Sequence, residues 1–290
     1  MKTAIMTDTN SGITIEEGKA NGIFVLPMPV IIDGEDYLEE SNITHEELYE
    51  AMIADKDVMT SQPSPGDLLD FWDDIFEQGY DEIVYIPMSS GLSGSCHTST
   101  QFAEEYDGKV KVVDNHRISV TLHESVYQAK KYEEAGKDGA FIKEALEKDA
   151  FNSSIYIAVE SLKYLKKSGR VTAAGAMLAT AMNIKPVLTI QGEKLDAFAK
   201  VRGMKAAQTK MINAMKKDIE ERFGEYPIEK INIGVAGTMR NQEDTDEWFK
   251  KVQEAFPGYR VFYNPLSCSI ACHVGIDTAG IGVSIIDEDI

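Results

Sequence analysis

The densest cluster of chemically useful side chains is SSGLSGS, residues 89–95, inside the stretch IVYIPMSSGLSGSCHTSTQFAEEY. It reads as strand, hydroxyl-rich loop, then helix. In a parallel sheet such a loop lies at the carboxyl edge, where ligands bind. Free N–H groups and the dipole at the start of the following helix favour an anion, and Ser89, Ser90, Ser93 and Ser95 add hydroxyl donors. One serine acting as a helix cap would use one of these hydroxyls, so capping and anion binding both stay open. A second cluster is MTSQPSPGDLL, residues 59–69, where Thr60 and Ser61 precede a stiff Gln-Pro-Ser-Pro segment. Prolines fix the backbone and can preset the two hydroxyls for a ligand; the plainer reading is a loop that ends in a Ser64 cap. The third is Cys268-Ser-Ile-Ala-Cys272-His273. Its spacing is one residue too long for c-type haem, and zinc would need further ligands that no nearby Cys/His pair supplies. The expectation is therefore small buried thiols beside a functional histidine, with no metal and no cofactor. His97, His116 and His123 read as solvated or capping residues, and Asp8, at the end of the first strand, as a brace for ligand-side loops.

Short β-branched runs must position these groups: residues 3–6, 23–32, 83–87, 110–114, 155–159, 187–190, 231–236, 260–263 and 282–286. Several are apolar on both faces, which suits parallel strands covered by helices. The helices between them carry local signals. Thr44 and Glu47 form a capping-box pattern with Ile43 and Leu48 as its staple. Leu68, Trp72, Ile75, Phe76 and Gly79 follow helical spacing behind Ser64-Pro65. Met211, Met215, Ile219 and Phe223 recur every four residues, a stripe better suited to core than to a ligand box. The alternation predicts an α/β fold with two domains of mostly parallel, helix-covered sheets. The boundary falls at Asn152-Ser153, giving residues 1–152 with the hydroxyl-rich loops and 153–290 with an SGR motif and His273.

Composition narrows the function classes. The chain has 290 residues and a net charge of −19, from 29 basic and 48 acidic side chains. Such a field repels phosphate backbones and anionic lipid surfaces, which argues against nucleic-acid binding. No stretch approaches the roughly 20 apolar residues of a membrane span, so stable membrane insertion is not expected. Three cysteines are too few and too odd in number for a disulfide framework, which fits a reducing, cytoplasmic setting.

Taken in order, TSQPSP (60–65), SSGLSGS (89–95), VVD (112–114), LKYLKKSGRVT (162–172), IKPVL (184–188) and HVG (273–275) resemble the DegV family over nearly the whole chain. The resemblance implies two α/β domains with a fatty acid in a tunnel, and a non-catalytic role as binding subunit of a bacterial fatty acid kinase. It implies that Thr60, Ser61, Ser93 and Gly94 hold the carboxylate, that His273 lies near the same head group, and that Arg170 meets the kinase or the head group. The partners would be one long-chain fatty acid and a separate kinase subunit that makes an acyl phosphate. The chain departs from the family pattern at Ser168, where a glycine is usual, at Asn115, and in the Val-Gly-Ile-Asp that follows His273.

An apolar tunnel is energetically sensible: at roughly 0.8 kcal/mol per methylene, a sixteen-carbon tail offers on the order of 10 kcal/mol before ordering costs. Each head-group bond contributes about 1.5–3 kcal/mol, so the tail sets affinity and the head group sets orientation. Ile31, Leu92, Ile157 and Met177 are candidates for the lining. The alternative is a serine hydrolase of small esters with Ser93, Asp114 and His273 as its triad. That chain order fits α/β-hydrolases, but SSGLSGS does not match the G-x-S-x-G elbow. Nucleotide binding lacks both GxGxxG and GxxxxGK[ST].

Overall fold

The computed structural model describes residues 1–177 and 183–286. In chain order the elements are β1 (Thr3–Asp8), α1 (Ile15–Asn21), β2 (Ile23–Leu26), β3 (Pro29–Ile32), β4 (Glu35–Leu38), α2 (His45–Ile53), β5 (Val58–Thr60), α3 (Pro65–Glu77), β6 (Glu82–Ile86), α4 (Ser95–Ala103), β7 (Val110–Val112), α5 (Ser119–Glu134) and α6 (Gly139–Lys148). They continue with β8 (Ser153–Ala158), α7 (Lys163–Ser168), α8 (Ala173–Ala176), β9 (Ile184–Ile190), β10 (Asp196–Arg202), α9 (Met204–Glu221), β11 (Ile231–Gly237), α10 (Gln242–Ala255), β12 (Arg260–Tyr263), α11 (Cys268–Val274) and β13 (Ala279–Ile285).

The strands β2-β1-β6-β7 form a four-stranded, fully parallel sheet. Every residue of β1 and β6 is buried, as the doubly apolar runs indicated for strands covered on both faces. The α/β class and a helix-flanked parallel sheet are thus present. The six-stranded sheet, ordered β10-β9-β8-β13-β11-β12, corrects the expectation of mostly parallel strands, because only β11 and β12 run parallel there. Its central strands hid their direction. Tyr156, Ala158 and Val283 pack with Met211 and Trp248 of α9 and α10, whereas Ile155 and Ile157 pack with Val120 of α5 and Ile270 of α11. Burial on both faces removes the alternation that marks an antiparallel strand, so the apolar run alone carries no direction.

The single run expected over 23–32 divides at Pro27, which has no N–H to give a ladder. Its first part, β2, joins the parallel sheet, and β3 joins β4 and β5 in a small antiparallel sheet. The strands β4, β5 and β10 have no counterpart among the sequence-derived strands; β10 is an edge strand with no buried position, which leaves a weak apolar signal.

Local helix signals hold. Thr44 Oγ1 accepts from the Glu47 amide at 3.2 Å, and Glu47 Oε2 accepts from the Thr44 amide at 2.9 Å. Ile43 and Leu48 lie in one buried cluster beside this cap. Ser64 caps α3 through the Asp67 amide at 3.1 Å. Met211, Met215, Ile219 and Phe223 are all buried against Trp248 and Val252, so the methionine stripe is core.

Candidate functional site

The carboxyl edge of the parallel sheet faces the inner side of the larger sheet, and a cavity of about 1040 Å³, its mouth included, lies there. Aliphatic side chains make most of the wall: Met28, Met88, Leu92, Ile118, Val120, Ile155, Ile157, Ile190, Leu195, Ile270 and Val274. Leu92 and Ile157 line it as expected. Ile31 does not, because alternation along β3 turns Val30 and Ile32 inward instead, and Met177 is 77% exposed.

Thr60, Ser61, Ser93, Gly94, Arg170 and His273 all line this one cavity, although they come from distant parts of the chain. Thr60 ends β5, and its Oγ1 lies 2.9 Å from Nε2 of His273. His273 sits in the last turn of α11, a helix started by the Ser267 side chain. Its Nδ1 is buried with no hydrogen-bond partner. Burial first, and the nearby Arg170 charge second, push its pKa down to about 4, so the imidazole is neutral near pH 7. Arg170 follows Gly169, whose φ of +69° ends α7 with a left-handed turn. Its Nε donates to the Leu92 carbonyl at 3.2 Å and its Nη1 to the Ser168 carbonyl. Among the described residues no carboxylate pairs with it, which leaves a cation at the cavity of a strongly acidic protein.

The serine loop divides its labour. Ser89 donates to the Gly192 carbonyl at 2.6 Å and accepts from the Gly91 amide, and the Ser90 amide is held by Asp114. Ser93 accepts from the Ser95 amide at 3.1 Å at the start of α4, so capping accounts for part of its capacity while it also lines the cavity. The hydrolase triad is not assembled. Nε2 of His273 meets Thr60, its Nδ1 is unpartnered, and Asp114 instead accepts from the Ser90 and His116 amides.

Asp8 braces the loops as expected, accepting from the Asn10 amide, the Asn10 side chain and the Met88 amide, each at 3.0 Å. Burial raises its pKa to about 6. Sequence reasoning missed Asn10, Gln62, Ser119 and Ser269, which also line the cavity. Asn10 shares the TDTNSG segment with Asp8, a parallel-strand carboxyl end that could have flagged it. It also missed Glu39, buried between the Thr9 hydroxyl and the Ser269 amide, with a pKa raised by burial to about 7. His123 corrects its reading as solvated or capping: it is 8% exposed, between Glu17 and Glu124, and stacks on Phe262 at 5.1 Å. Cys268 and Cys272 are buried free thiols, and burial pushes Cys272 up to about 12.

Residues 2–285 match the family described as "Uncharacterised protein, DegV family". The chain belongs to the DegV family. A DegV domain-containing protein of Staphylococcus aureus is 30% identical over 285 residues, 97% of this chain and 98% of that relative. A Thermus thermophilus structure, described as fatty acid binding of a DegV family protein, superposes with a TM-score of 0.87 at 26% identity, covering 98% of this chain and 100% of that one. A stearic acid-binding protein from Eubacterium ventriosum shares the DegV fold at a TM-score of 0.85 and 23% identity, covering 98% of each chain. No helix among the described residues is long and apolar enough to cross a membrane.

Proposed function

We propose that this chain is a non-catalytic, cytoplasmic carrier that holds one long-chain fatty acid. Its carboxylate rests at the Thr60, Ser61, Ser93, Gly94 and His273 end, and a separate fatty acid kinase receives it there. The observation that carries the reading is a largely aliphatic cavity of about 1040 Å³, its mouth included, that meets the Thr60–His273 pair and an Arg170 with no carboxylate partner among the described residues. A carboxylate there gains hydroxyl donors and a guanidinium, and charge-assisted bonds of this kind are the strong ones. The Thermus thermophilus relative is described as a fatty acid binder, which supports the same ligand class here. We take residues 1–152 and 153–290 as two domains, supported by the strands: β1–β7 supply two sheets and β8–β13 the third.

A carrier leaves phosphoryl transfer to its partner. The bound carboxylate is the nucleophile: its oxygen forms a bond to the phosphorus of a phosphoryl donor held by the kinase, the bond from that phosphorus to the donor breaks, and the donor leaves on the kinase as the acyl phosphate forms. Solvent extraction of the purified chain, followed by mass spectrometry, should release about one fatty acid per chain, in keeping with one tail filling one cavity. A nucleotide mass, or an empty chain that fails to take up added fatty acid, would end this reading.

A further inference from the structure

The cavity has polar groups at its other end that the carboxylate does not use, and β13 serves as the ruler. Thr278, just before β13, donates its hydroxyl at 3.1 Å to the carbonyl of Val274, the neighbour of His273. Gly282, four residues further on, is where an added Cβ would meet Val120 Cγ2 at 2.8 Å. At ~3.3 Å per residue these points are about 13 Å apart, the reach of roughly ten carbons in an extended chain with ~1.5 Å bonds.

Helix α5 opens at the second point. It runs 16 residues, its cap residue Ile118 gives no side-chain hydrogen bond, and no acid stands in its first turn. Its first amides have no intrahelical partner. Ser119, the first residue, lines the cavity and is 7% exposed, and its hydroxyl forms no hydrogen bond among the described residues. Thr121 contrasts with it, because its hydroxyl is occupied by the Ile118 carbonyl at 2.9 Å. The wall around Ser119 is otherwise aliphatic, from Ile118, Val120, Ile155 and Ile190. A buried hydroxyl and open amides in apolar surroundings are unfavourable until something polar meets them.

Building on the carrier reading, we propose that the preferred acyl chain bears a hydroxyl in its distal half, about ten or more carbons from the carboxylate. That hydroxyl meets Ser119 and the first amides of α5. A hydroxyl suits the place because it both accepts from an amide and exchanges a hydrogen bond with serine.

The test is competition on the full chain. The protein is incubated with an equimolar mixture of octadecanoate and 12-hydroxyoctadecanoate, and the bound masses are read by native mass spectrometry. The expected result is a preference of about tenfold for the hydroxylated acid, the size of one net hydrogen bond. 2-Hydroxyoctadecanoate, with its hydroxyl beside the carboxylate, should show no such gain. Ser119→Gly should bring the preference close to one. Glycine adopts the Ser119 φ of +53° freely, so the variant keeps the backbone, and Ser119→Ala gives a second reading of the same loss. Octadecanoate bound as well as its 12-hydroxy analogue, or a preference that survives Ser119→Gly, overturns this inference and leaves the carrier reading standing. Failure of both acids to bind overturns both.

Discussion

A neutral imidazole at His273 orients rather than charges the site. Held at about 4 by burial and by Arg170, it keeps Nε2 at Thr60 and leaves cationic work to the guanidinium. This has a pH consequence. The folded pKa lies below the unfolded value of 6.5, so the unfolded chain binds the extra proton first. The stability contributed by neutral His273 is present above pH 6.5 and is lost as pH falls toward 4, by about 3 kcal/mol in all. Relative to wild type, His273→Gln should therefore gain about that much between pH 6.5 and 4 in urea titrations; parallel pH profiles would contradict it. Glu39 has the opposite sign. Its folded pKa of about 7 exceeds its ordinary 4.5, so Glu39→Gln should gain on wild type as pH rises through that window. For binding, Ser93→Ala should lower fatty-acid retention several-fold, on the order of one hydrogen bond to a charged group. On the proposed carrier reading, Arg170→Ala should leave much of the fatty-acid affinity and impair turnover by the proposed kinase partner, and loss of binding instead would move Arg170 to the head group. Unchanged lipid content in Ser93→Ala, measured by extraction, would remove Ser93 from the head-group site. The hydroxyl-rich motifs made Thr60, Ser61 and Ser93 legible as candidates, and all three line the cavity. Asn10, Ser119 and Ser269 were not, because an isolated polar residue becomes a site residue only when folding turns it toward a cavity.

Caps and turns are written locally, and they survive into the structure for that reason. The Thr44–Glu47 box needs only four consecutive residues, and both of its hydrogen bonds form. Thr44→Ala should cost about 1 kcal/mol of stability by chemical denaturation. Close packing between elements is a different matter. A Cβ at Gly234 of β11 would lie 2.3 Å from Val120 Cβ of α5, and every residue of that strand is buried. Gly234→Ala should destabilise by about 1–3 kcal/mol, and equal denaturation midpoints would show that α5 shifts freely. Strand direction is also a property between elements. The runs of β8, β11 and β13 were visible as strands, yet their antiparallel pairing was not, because both faces are covered. Pro27 was present in the 23–32 run from the start, and the split of that run into two sheets follows from its missing N–H.

At the scale of the molecule, a ligand that fills the cavity of the folded chain and not of the unfolded one must stabilise it. At a hundredfold excess over Kd the gain is about 2.7 kcal/mol, so the melting temperature should rise with added long-chain fatty acid. An equal rise with a nucleotide, or none with fatty acid, would count against the carrier. The charge of −19 lies on the chain whatever its fold and disfavours polyanions. Composition, caps, helix stripes, strand runs and the hydroxyl clusters were all set by the sequence itself, since each depends on residues within a few positions of one another. Which way the strands of the larger sheet run, that β5, α7 and α11 bring Thr60, Arg170 and His273 to one cavity, and that His273 is neutral there, was decided by tertiary structure. Those properties depend on what packs against what across the chain, and on the water that packing removes.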